Sequence, residues 1–165
     1  MVNRAVSSIG IRWTAPNHQD LDLSARFKPG TPRLDLGELY WNTPPVKTIG
    51  PKTNNLGRYL GDIREGGSNS DYEWLELAPQ ISISSLGTNL EDLELWVDHY
   101  SGKGPVTFTV ALVDKGKIVA QTELTVTGDG DMRSGAIGRE NSASWVLLPV
   151  QKILESSSLI QAAAK

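Results

Sequence analysis

From Asp20 to Phe27 the chain alternates without a break: Leu21, Leu23, Ala25 and Phe27 fall on one side, Asp20, Asp22, Ser24 and Arg26 on the other. That period is a half-buried β-strand. Val106–Val113 and Lys117–Val126 read as the arms of a hairpin turning at Asp114-Lys115-Gly116, rich in Thr, Val and Ile. Ile9–Trp13, Leu34–Trp41, Arg58–Asp62, Tyr72–Leu77, Leu93–Tyr100 and Ser144–Leu148 are read as further strands, with a long proline-bearing loop over Asn42–Asn55. Short strands separated by turns, without intervening helices, define the expected fold: all-β, an antiparallel β-sandwich over residues 1–148. Residues 149–165 are expected to form one short helix, near Pro149 to Glu155, and a tail. Pro149 suits a helix start, and Val150, Ile153 and Leu154 share one helical face.

A chain of 165 residues is one domain with room for a real core. With 39% hydrophobic and 21% charged residues it is globular in composition. The net charge of −3 leaves no basic stripe to neutralise phosphates, so nucleic acid is not an expected partner. The absence of cysteine removes disulfides, thiolate metal sites and a cysteine nucleophile. The stretch Met1 to Gly10 lacks the apolar centre of a signal peptide, and no apolar run reaches membrane-spanning length. A cytoplasmic location is expected, with a periplasmic or extracellular one as the alternative if a leader has been removed.

The segment Gly61 to Leu77 carries the most chemistry. A Gly/Ser/Asn-rich loop is bracketed by Asp62 on one side and by Asp71 and Glu73 on the other, then runs into an alternating strand. Carboxylates spaced along such a loop suit a hard cation, because glycine lets backbone carbonyls and side-chain oxygens turn inward together. An ordinary hairpin loop with solvated charges is the alternative. Asp20 and Asp22 put two more carboxylates on one face of a strand, although Asp is a poor strand former. They mark either a solvated strand end or the neighbourhood of a cation. The candidate ligands for such a cation are Asp20, Asp22, Asp62, Asn69, Asp71 and Glu73. Gly128-Asp129-Gly130-Asp131 also alternates glycine and aspartate, but no following Glu closes a cage there.

No catalytic constellation emerges. His18 lies in a Pro-Asn loop, and His99 sits in a strand beside Asp98, where a packed histidine is the ordinary case. There is no Gly-x-Ser-x-Gly elbow, zinc-protease motif, phosphate-cradling loop or dinucleotide fingerprint. The expectation is a protein that is not an enzyme. Five tryptophans, at 13, 41, 74, 96 and 145, are read mainly as core; a sugar platform would need Trp41 or Trp74 exposed.

Taken in order, these pieces resemble the bacterial tellurium-resistance domain family of the TerD type over nearly the full length. Ile11-Arg12-Trp13 followed by Asp20-Leu21-Asp22-Leu23-Ser24-Ala25 is similar to that family's Gly-Trp strand and Asp-Leu-Asp-x-Ser-Ala opening. Leu39-Tyr40-Trp41-Asn42 resembles its Phe-Tyr-Asn strand end. Gly61-Asp62, Gly66, Asp71 and Glu73 fall at the spacing of its acidic calcium loop, and Ile137-Gly138-Arg139 with Trp145 resembles its closing strand. The resemblance implies a β-sandwich that binds calcium and serves a bacterial stress response, including tellurite resistance, with protein partners and no assigned enzymatic activity. Ile63, Asn69 and Tyr72 stand where the family prefers ligating or acidic residues. Fewer charged ligands imply one weak calcium site, or none.

A second resemblance competes. Asp20-Leu21-Asp22-Leu23, Val97 to Pro105 and Phe108-Thr109-Val110 are similar to exported prokaryotic sandwich modules with Asp-Leu-Asp-Leu and Tyr-Ser-Gly stretches. It implies a structural, adhesion or carbohydrate-binding module without metal.

Overall fold

The computed structural model describes residues 6–13, 20–30, 38–40, 52–54, 56–60, 72–78, 93–130 and 139–163. Nine strands and one α-helix follow in chain order among them: β1 (Ser8–Arg12), β2 (Asp20–Phe27), β3 (Lys52–Asn54), β4 (Gly57–Tyr59), β5 (Glu73–Leu77), β6 (Leu93–Ser101), β7 (Val106–Asp114), β8 (Lys117–Val126), β9 (Trp145–Leu147) and α1 (Val150–Ala163). A 3₁₀ turn spans Arg139–Asn141. The strands form two antiparallel sheets, a six-stranded one in the order β3-β4-β5-β1-β7-β8 and a three-stranded one in the order β2-β6-β9. The expected all-β sandwich with a short helix is what the chain forms.

Alternation builds the core. Leu21, Leu23, Ala25 and Phe27 of β2 are fully buried, and β6 faces them with Leu93, Leu95 and Val97 in direct register. The six-stranded sheet supplies Ile9 and Ile11, Leu75 and Leu77, and Phe108, Val110 and Leu112 to the same cluster. Each large aliphatic or aromatic side chain taken from water adds about 1.5–3 kcal/mol to the drive for this packing. The β7–β8 hairpin closes through Lys115 and Gly116, both with positive φ (51° and 79°), the backbone of a two-residue turn matched to strand twist.

Two elements differ from expectation, and a third lies mostly outside the described residues. Lys52–Asn54 was expected in a loop but forms β3, because pairing with β4 from Lys52↔Tyr59 to Asn54↔Gly57 outweighs its weak strand propensity. Of the expected strand Leu34–Trp41 only residues 38–40 are described; Leu39 makes an isolated bridge to Ala25. Helix α1 runs on to Ala163, past Glu155, even though Ser156–Ser158 lower helix propensity. Its Val150, Ile153 and Leu154 belong to the core cluster, and the helix packs against β8.

Candidate functional site

The outer face of the three-stranded sheet collects the polar half of the β2 alternation. Across the strands, Asp22 stands opposite Asp98, which stands opposite Trp145; Ser24 stands opposite Trp96, which stands opposite Leu147; Arg26 stands opposite Glu94. An outer face normally meets water, yet Asp22 is 3% exposed and Asp98 8%. Trp96 is buried too, but it is not part of the core cluster.

Charged and aromatic contacts lie across this face. The Arg139 guanidinium sits 4.3 Å from the Trp145 ring centre and 5.6 Å from that of Trp96, and the two indoles meet edge to face at 6.1 Å. Arg139 Nη2 donates to Glu38 Oε1 at 2.9 Å, and the Ser24 hydroxyl donates to the other oxygen of Glu38. Arg26 bridges Glu94 at 3.0 Å and Glu140 at 2.9 Å, while Trp96 Nε1 donates to Glu94. Glu140 is held below the usual carboxylate range, first by a backbone hydrogen bond at its own position, which with the further pull of Arg26 and Arg139 outweighs the opposing effect of desolvation.

Of the expected ligands, Asp22 comes to this face, where Asp98 joins it; Asp20 lies beyond a register shift in β2 and pairs with Ser101. Glu73 is placed differently. It opens β5 in the inward row with Leu75 and Leu77, is fully buried, and its Oε2 accepts the Leu23 backbone N–H at 2.7 Å. Leu23 directs that amide to the β2 edge away from β6, where Ala25 exchanges hydrogen bonds with Leu39. Glu73 thus ties the six-stranded sheet to the three-stranded one by a buried hydrogen bond. Asp62, Asn69 and Asp71 lie outside the described residues, as do Trp41 and His18. Among the described residues no three His, Cys, Asp or Glu side chains converge to hold a metal ion.

Asp129 accepts the Gly104 amide at 2.9 Å, which makes it a loop fastener. His99 is fully buried. Its Nδ1 lies 2.9 Å from the Gly128 carbonyl, so Nδ1 carries the proton, and Nε2 has no hydrogen-bond partner among the described residues. Asp98, Glu38 and the Arg139 clasp went unread as site residues. The signal for Asp98 was present as a second alternating acidic strand, Leu93–Tyr100, but its register against β2 is not written locally.

No protein family, no curated protein and no solved structure matches the chain. Among the described residues no helix is long and apolar enough to cross a membrane.

Proposed function

We propose that the chain is a non-catalytic, calcium-responsive binding domain, serving a bacterial stress system in the manner of the tellurium-resistance domains it resembles. The observation that carries this reading is the direct opposition of Asp22 and Asp98 across β2 and β6, both buried. Like charges placed opposite one another destabilise a strand pair, and burial strengthens the repulsion. A divalent cation relieves it. The donors on this face are hard oxygens, the chemistry calcium selects. In this reading Asp22 and Asp98 would supply part of the coordination shell, and Asp20 with Asp62, Asn69 and Asp71 of the glycine-rich segment would complete it. When bound, calcium supplies charge neutralisation and cross-linking of strand to loop, which presents an ordered surface to a protein partner. Glu73 braces the strand that leaves that segment.

Calcium at one hundred times its dissociation constant should raise folding stability by about 2.7 kcal/mol, read as a higher melting temperature. Asp22→Asn should abolish the calcium response. Asp129→Ala should leave the calcium response intact. A melting temperature indifferent to millimolar calcium, with no heat on calorimetric titration, overturns the proposal.

A further inference from the structure

The outer face of the six-stranded sheet is built in the opposite way. One row across it reads Trp74, Gly10, Ala111, Gln121; the next reads Arg58, Glu76, Ser8, Val113, Ile118. Gly10 leaves a gap in the first row, and the six-membered ring of Trp74 lies over it: a Cβ on Gly10 would come within 2.6 Å of the ring. Tyr72 holds the indole from one side, ring centres 5.0 Å apart. Tyr72 is fixed in turn by the Arg12 guanidinium 4.9 Å from its ring centre and by Gln121 Nε2, which donates to its hydroxyl at 3.0 Å. The indole is therefore positioned before any ligand arrives. It lines a cavity of about 360 Å³ together with Ser8, Leu60, Glu76, Val113 and Ile118. Ile118 is 54% exposed, one of two large hydrophobic side chains so open among the described residues.

Two properties define the occupant. The walls are aromatic and aliphatic, so the ligand must present an apolar surface. The charge at the rim is balanced: Glu76 pairs with Arg58 Nη2 at 3.3 Å, both side chains partly exposed. A compensated pair attracts neither an anion nor a cation, but it offers carboxylate acceptors and guanidinium donors to neutral hydroxyl groups. A neutral molecule with one C–H face and a rim of hydroxyls is a pyranose. We propose that this trough binds a neutral sugar ring of a glycan, its C–H face against Trp74 and its hydroxyls toward Glu76 and Arg58. Such an indole, already fixed by its neighbours, loses little freedom on binding. The site lies on the sheet opposite the aspartates and needs no metal.

The test is calorimetric titration and tryptophan fluorescence of the full chain against neutral hexasaccharides of the gluco, manno, galacto and N-acetylglucosamine series, in calcium and in chelator. Saturable binding of one series is expected, equal in both buffers, weakened tenfold or more by Trp74→Ala and severalfold by Glu76→Gln. Ile118→Ser, at an exposed position, keeps the fold intact if Trp74→Ala does not, and should also weaken binding severalfold. The proposal is overturned if no series binds, or if binding survives Trp74→Ala and Glu76→Gln unchanged. It is also overturned if sedimentation shows a dimer that Ile118→Ser dissociates, since the trough would then receive a second copy of the chain. Binding that vanishes in chelator would overturn metal independence alone and tie this face to the calcium reading.

Discussion

The two outer faces of the sandwich reverse the usual allocation of residues. On the three-stranded sheet, aspartates and a serine are buried while guanidinium groups lie across tryptophans. On the six-stranded sheet, Trp74 is only half-buried and Ile118 stands open. Both faces are made of strands with the same period, so strand pattern is not the cause. The difference lies in what is laid over each. Glu38 and Arg139 arrive from distant parts of the chain to clasp one face, and on the other a glycine leaves room that a single indole covers in part. Burial on a sheet face is thus decided by long-range partners as much as by residue type.

Removing the clasp is the strongest way to break this contrast. Arg139→Ala deletes two ring contacts and the ion pair to Glu38, at 12% and 23% side-chain exposure. A loss of about 3 kcal/mol is expected in denaturant unfolding, with a change in near-ultraviolet tryptophan signal. A loss below about 0.5 kcal/mol would mean that the face is held shut by something else.

Filling the gap sharpens the contrast from the other side. Gly10→Ala puts a methyl group into the Trp74 ring and should cost about 1–2 kcal/mol through overpacking. It should also shift Trp74 emission as the indole is pushed outward. An unchanged spectrum and stability would show that the ring yields freely and is not held by Tyr72.

The smallest expected effect belongs to Glu140, at the solvent side of the clasp. Its folded pKa lies below the usual 4.5, so its contribution is whole above that value and fades as pH falls through the lowered one. The gap in stability between the natural chain and Glu140→Gln should therefore narrow on acidification, and narrow further in salt. A gap that widens toward acid would reverse the sign assigned to Arg26 and Arg139.

Much of this was legible locally. The β2 alternation and the β7–β8 hairpin carry their own period and turn, and both form where expected. Asp22 takes its place in that alternation, while a register shift between Asp20 and Leu21 interrupts it at the strand's start. The partner of Asp22, Asp98, was not found, because β2 and β6 are joined by a long excursion that leaves register unspecified in local sequence. In sequence Glu73 reads as a metal ligand at the edge of the polar loop, yet it is the first inward position of β5, in phase with Leu75 and Leu77, and it accepts the Leu23 amide. Strand β3 is created by its pairing with β4, and no local propensity announces it. The Gly10–Trp74 contact depends on two residues that meet only across a strand pair.

The hydrogen bond from Leu23 to Glu73 has a bearing on cooperativity. Within one sheet a strand can fray one residue at a time, each freed amide finding water. Here the amide belongs to one sheet and its acceptor to the other, and the acceptor is fully buried. A slight parting of the sheets breaks this bond before water can reach the Leu23 amide, so small openings carry the penalty of an unsatisfied buried donor. The two layers therefore come apart together or not at all, as one unit of local stability with no intermediate rung between closed and open.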